Sequence, residues 1–132
     1  MRLEIVTPTE IAFSEDVEMV TLPAIEGEMG VYPDHLHVIT QIVPGELIVT
    51  QKGQARSLAV GEGLVEITGS RVSIVTDMAI AADRIDEASV EEARARAAAR
   101  LQEKISDEEV AMVNASLVRS LAQLQVKRRR RS

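Results

Sequence analysis

Over the first 82 or so residues, hydrophobic and polar positions alternate in short runs. Leu3–Val6, Val17–Leu22, His37–Ile42, Glu46–Gln51, Arg56–Val60, Leu64–Thr68 and Arg71–Thr76 read as strands. Pro44-Gly45, Lys52-Gly53, Gly61-Glu62-Gly63 and Gly69-Ser70 separate them. Regular short strands with glycine punctuation predict an all-β sandwich or barrel. Leu47-Ile48-Val49 and Ser73-Ile74-Val75 place apolar residues at consecutive positions, hence on both faces of a sheet. One face fills the core, and the other calls for a cover or a partner.

After Asp83 the period changes. Val90, Ala93, Ala97, Leu101 and Ile105 fall at steps of three and four, one stripe on a helix. Two start signals compete: Asp86 as a direct cap, or Ser89-Val90-Glu91-Glu92 as a capping box. Ser106-Asp107-Glu108-Glu109 is a further capping box and opens a second stripe, Val110, Val113, Leu117, Leu121 and Leu124. With only a residue or two between them, two helices of about 20 residues, near 30 Å each, must double back as an antiparallel hairpin. The first stripe is mostly alanine and buries little area, so the hairpin needs the sandwich or a partner to lean on and is expected to be able to leave it. The expected division is therefore a β-sandwich over residues 1–83 and a helical hairpin over residues 84–132.

One stretch reads differently from the strands around it. In Leu22-Pro23-Ala24-Ile25-Glu26-Gly27-Glu28-Met29-Gly30-Val31-Tyr32-Pro33-Asp34-His35, Pro23 ends an apolar run, Gly27 and Gly30 permit unusual backbone angles, and Pro33-Asp34 favours another turn. Met29, Val31 and Tyr32 lie between the turns, close to Glu26 and Glu28. The pattern predicts a twice-turned acidic loop with an apolar tip; the plainer alternative is a β-turn with incidental charges.

Composition narrows the classes. Hydrophobic residues make up 45% of the chain and aromatics only 2%, so the core must be built from aliphatic side chains. Too few aromatic platforms exist for single-strand nucleic-acid binding. Without cysteine there is no disulfide framework, thiolate metal site or cysteine nucleophile. The chain opens directly into a strand-like run, so no signal or transit peptide is expected; no apolar stretch in the sequence reaches the roughly 18 residues that cross a bilayer, and a soluble, cytosolic protein is expected. The net charge of −6 hides an asymmetry. Residues 1–83 carry 13 acidic and 4 basic side chains, a net of −9, whereas residues 84–132 carry 8 and 11, a net of +3.

Candidate chemistry is sparse. His35 and His37 lack a third ligand at a recognisable spacing, so no metal site is expected. No phosphate-binding glycine loop and no nucleophile-elbow motif occurs, and no carboxylate pair stands out as acid and base; the chain is not expected to be an enzyme. The strongest charge feature is Lys127-Arg128-Arg129-Arg130-Arg131. Five adjacent cations repel one another, so the helix should fray there unless an anionic partner is present. Nucleic acid, anionic lipid and an acidic protein surface are the chemical alternatives to a solvated tail; the acidic main domain argues against nucleic acid.

The run Glu26-Gly27-Glu28-Met29-Gly30-Val31-Tyr32-Pro33-Asp34-His35 resembles the signature of the epsilon subunit of bacterial F-type ATP synthase. Val6-Thr7-Pro8, Phe13-Ser14, Pro44-Gly45, Gly63-Leu64-Val65-Glu66, Asp77 to Ala79, Ile85-Asp86 and Leu121-Ala122-Gln123-Leu124 extend the resemblance, in order, over nearly the whole chain. It implies an N-terminal β-sandwich that grips the gamma subunit and touches the polar loops of the c-ring, and a mobile C-terminal hairpin. It further implies a non-catalytic rotor subunit of a proton- or ion-translocating synthase, without a cofactor of its own, peripheral on the cytoplasmic face of the bacterial membrane.

By position, the resemblance assigns Glu28 to the c-ring loops and His35 to gamma, with Met29, Val31 and Tyr32 at the same interface. It assigns Arg119 and Lys127 to Arg131 to an acidic segment of the beta subunits in the alpha/beta hexamer, where an extended hairpin blocks ATP hydrolysis. Some members bind ATP through Ile-Asp-x-x-Arg-Ala. Here Ile85 and Asp86 match, but Ser89 and Val90 replace the Arg-Ala pair. Losing that guanidinium argues against ATP binding, although Arg96 and Arg119 remain as alternative phosphate contacts. Glu62-Gly63, where the family usually has Gly-Gly, is a second departure.

Overall fold

A computed structural model describes residues 1–33 and 37–130. Ten strands form the N-terminal part: β1 (Arg2–Val6), β2 (Ile11–Asp16), β3 (Met19–Ala24), β4 (Gly27–Val31), β5 (Val38–Ile42), β6 (Gly45–Gln51), β7 (Gln54–Val60), β8 (Gly63–Ile67), β9 (Arg71–Thr76) and β10 (Ala79–Ala81). They hydrogen-bond in the order β10-β7-β6-β3-β5-β8-β9-β1-β2, with β4 added on β3. The neighbours are antiparallel except β1 and β9, which run parallel. Strand β3 turns the corner: Met19 to Thr21 pair with β6, and Ala24 pairs with β5. The sheet thereby folds over one core in which Leu3, Ile5, Val20, Leu22, Val31, Leu47, Val49, Val65, Ile67 and Val72 have no exposed surface. The period-2 pattern drives this. Along β3 burial alternates residue by residue, Val20, Leu22 and Ala24 inward and Met19, Thr21 and Pro23 outward.

Three strands were not legible in the sequence. Strand β2 is a short edge strand ending in Ser14-Glu15-Asp16, with Phe13 as its buried residue. Strand β10 is three residues long. Strand β4 lies inside the stretch expected to be a loop: Ala24 to Gly27 makes a tight hairpin turn with Gly27 at φ 125°, and Glu28 to Val31 pair back along β3. Pro23 does not end β3 either. Its missing N–H is tolerated where pairing with β6 has stopped at Thr21 and pairing with β5 begins at Ala24, and its carbonyl accepts from the Val43 N–H at 2.8 Å.

A 3₁₀ turn (Ala82–Arg84) leads to α1 (Glu87–Arg100) and α2 (Asp107–Arg130). Asp86 takes the cap: its carboxylate accepts from the Ser89 N–H at 3.3 Å and the Ser89 hydroxyl at 3.1 Å. Ser106 caps α2, accepting from the Glu109 N–H at 3.1 Å. Helix α1 is shorter than expected, at 14 residues, and six residues connect it to α2. Its last carbonyls, Ala99 and Arg100, are closed off by the N–H groups of Gln102 and Glu103, and Arg100 ion-pairs with Glu103 and with Glu109 of α2, pinning the turn.

Helix α2 lies on the outer face of β6 and β7. Ala122 and Val126 meet Ala59 of β7, Met78 and Ile85 in a small second core. Ala59 sits opposite Glu46 on the outward side of that sheet yet is fully buried, since the helix covers it. Helix α2 thus rests on the sandwich through a small apolar contact. The expected face of α2 is corrected in part. Leu124 is buried, but Leu121 and Val110 are exposed, and Ser120, Ala122 and Val126 do the packing in their place.

Candidate functional site

The β3–β4 hairpin presents less apolar surface than its sequence suggests. Val31 pairs with Val20, points inward and has no exposed surface, so its assignment to an interface is corrected: it is a core residue. Met29 pairs with Leu22 on the same inward face and packs against the core. The side chains that do face outward are Glu28, Tyr32 at 59% exposure and Ile25 in the turn at 58%. Glu26 is not free to swing, because its carboxylate accepts from the Thr40 hydroxyl at 2.6 Å. His35 lies outside the described residues. His37 is exposed and faces Glu66 at 3.4 Å.

A larger apolar surface lies on the outer face of the strands away from α2. Leu64, Val75, Val6 and Ile11 stand opposite one another in a row across β8, β9, β1 and β2. Leu64, Val75 and Ile11 are more than half exposed, as is Ile39 on the same face of β5. Val6, Pro8, Leu64 and Val75 line one shallow depression there. The two runs with apolar residues on both faces thus have different fates. Ile48 lies on the face that α2 covers, whereas Val75 stays in the open.

The basic end of α2 is engaged by carboxylates of the chain itself. Glu46, on the outward face of β6 with only 9% of its side chain exposed, accepts from Arg129 Nη1 at 2.9 Å and from Arg130 Nε at 2.7 Å. Burial pushes the Glu46 carboxyl up, but Arg130, Ser57 and Arg129 together outweigh it and hold the carboxyl below its ordinary value. Arg128 bridges Glu87 at 2.9 Å and Glu91 at 3.2 Å on α1. Lys127 donates to the Ala82 carbonyl at 3.2 Å, and Arg119 reaches Asp77 at 3.4 Å. The stated exception to fraying, an anionic partner, is therefore met. The helix continues through Arg130 because the anionic partner that the run requires is intramolecular. Arg131 lies outside the described residues.

Three of the four residues considered for nucleotide have other engagements. Ile85 is buried under α2, Asp86 is the cap of α1 and Arg119 faces Asp77, while Arg96 is exposed on α1. Glu46 was not legible as a partner of the tail, because it lies more than 80 positions away and its strand pattern indicates only that it faces outward.

Residues 1–82 match the β-sandwich domain of the ATP synthase Delta/Epsilon chain, and residues 83–128 match its long α-helix domain. This chain belongs to the ATP synthase epsilon chain family. An ATP synthase epsilon chain of Herpetosiphon aurantiacus is 37% identical over all of this chain and 97% of its own length. That of Chloroflexus aggregans is 38% identical over 96% and 91%. Among solved structures, a chain of the Euglena gracilis mitochondrial ATP synthase OSCP/F1/c-ring assembly superposes with a TM-score of 0.67 at 24% identity, covering 96% of this chain and 76% of that one. A chain of the Tetrahymena thermophila central stalk and c-ring gives 0.58 at 17% identity, covering 96% of each. Both share the fold. The family boundary after residue 82 falls at the start of the 3₁₀ turn, where the strands give way to helices.

Proposed function

We infer that this chain is the epsilon-type subunit of the central stalk of an ATP synthase, a non-catalytic part that turns with the rotor. The carrying observation is a single chain that matches both family domains in order, from residue 1 to residue 128. No helix among the described residues is long and apolar enough to cross a membrane, consistent with a peripheral place in a membrane-bound complex. In a bacterial cell that place is the cytoplasmic face.

The finer assignments rest on surface chemistry. An exposed apolar row on the sheet favours a long-lived protein partner, and gamma is the stalk subunit suited to it. Glu28, Ile25 and Tyr32 at the hairpin end suit the polar loops of the c-ring. The basic side chains of α2, once released from their intramolecular carboxylates, suit an acidic surface on the alpha/beta hexamer, where an extended hairpin obstructs hydrolysis. Basic contact with nucleic acid or lipid is the weaker alternative, given the family.

Adding the full chain to a catalytic sector stripped of its own epsilon subunit tests this reading. Stoichiometric binding with slower ATP hydrolysis is expected. Binding without slower hydrolysis would remove the inhibitory role, and failure to bind would overturn membership of the stalk.

A further inference from the structure

We propose that Glu46 is the catch of an intramolecular latch: its carboxylate, gripped by Arg129 and Arg130, holds the helical hairpin against the sandwich.

The small core under α2 consists of Ala59, Met78, Ile85, Ala122 and Val126, with Ile80, Ala82 and Val90 at its margin. It lies under the 3₁₀ turn and the later half of the helix, and two of its five buried members are alanines. Such a contact contributes little per residue, so the end of α2 depends on polar anchors. Glu46 differs from the other carboxylates that hold the hairpin. Asp77, Glu87 and Glu91 retain between 24% and 40% exposure, against 9% for Glu46. It also lies on the sandwich, whereas Glu87 and Glu91 belong to α1 and move with the hairpin. Losing a guanidinium would leave this withdrawn carboxylate short of donors, and losing the carboxylate would leave two adjacent arginines repelling each other.

The cations available to an acidic partner are the same ones that close the latch, so neutralising them weakens the folded hairpin as well as any extended state. Glu46 is the group that separates the two effects, because its loss removes this contact while leaving both arginines in the chain. The inference rests on the proposed mobility of the hairpin, but the latch itself is tested on the isolated full chain.

Amide hydrogen exchange on the full chain reads the latch directly. Glu46→Gln keeps the shape and removes the charge. Exchange in α2 is expected to accelerate roughly five- to thirty-fold, the range set by losing one strong anchor, since a released helix in water is marginal. Amides of β5 and β8, remote from α2, should keep their rates and report that the sandwich is still folded. Arg129→Gln with Arg130→Gln should give the same acceleration, and adding Glu46→Gln to that pair should add nothing more. Glu4→Gln, at the Arg71 pair on a strand that does not carry α2, should leave α2 unchanged. Unchanged α2 exchange in Glu46→Gln, equal acceleration in every strand, or additive effects of the two sets would each overturn the latch. If Glu46→Gln frees α2 in the isolated chain yet leaves hydrolysis by the assembled complex unaltered, the latch stands and the regulatory reading falls.

Discussion

A Cβ built on Gly63 would lie 2.0 Å from the Val75 carbonyl oxygen and 2.8 Å from the Thr76 Cα, both backbone atoms that cannot step aside. Gly61 is crowded too, but by the Asp77 side chain, which can rotate. Gly63→Ala is therefore expected to destabilise the sandwich by about 2–3 kcal/mol, and Gly61→Ala by less, in urea unfolding of the full chain. Glu62 beside it, where the family usually has glycine, accepts on its backbone carbonyl from the Thr76 hydroxyl at 2.8 Å, and that contact needs no particular side chain at position 62. Glu46 makes the hold on α2 depend on pH. Its folded-state carboxyl lies below the ordinary 4.5, with Arg129, Arg130 and Ser57 facing it, so its contribution is complete above that value. It is lost only as pH falls through the lower, folded-state value. Protection of α2 amides, corrected for intrinsic exchange, should stay level from neutral pH to about 5 and decline only in more acid solution. A decline already complete near neutrality would point to another group.

At the scale of elements, the strands with clean alternation were readable and the β3–β4 hairpin was not. Glu-Gly-Glu-Met-Gly-Val carries the residues of a turn, and its inward positions, Met29 and Val31, resemble an apolar tip in sequence because pairing partners are not visible there. The hairpin of helices was readable from period and caps, since Asp86 and Ser106 act locally. The face of α2 was not, because Ala122 and Val126 are selected by what lies beneath them, Ala59, Met78 and Ile85, from a distant part of the chain. Val126 is 1% exposed, so Val126→Ala should loosen the hairpin by about 1–2 kcal/mol, measurable as faster exchange in α2 with the strands unaffected. Equal loss throughout the chain would mean that helices and sandwich unfold as one unit. With Asp86 spent on Ser89, Arg119 on Asp77 and Arg128 on α1 carboxylates, calorimetry is expected to find no micromolar ATP binding to the full chain. Micromolar binding would mean that the exposed Arg96, or an arginine released from its ion pair, supplies the phosphate contact.

For the molecule as a whole, two outer faces divide the work. One is covered by α2 and held by charge; the other carries Leu64, Val75, Ile11 and Ile39 in the open. The second face was visible in the sequence only as Val75 being apolar on the wrong side of its strand. Which neighbours joined it depended on strand order, which alternation does not encode. That face is the proposed contact with the stalk. A tagged full chain is expressed with a gamma-type stalk subunit and recovered, alongside a variant carrying Leu64→Lys and Val75→Thr. Both positions are more than half exposed, so the variant should fold with a change within about 0.5 kcal/mol. The intact chain is predicted to retain gamma in equal amount and the folded variant to lose it at least tenfold. A folded variant that retains gamma as well as the intact chain, or an intact chain that retains none, would contradict the account.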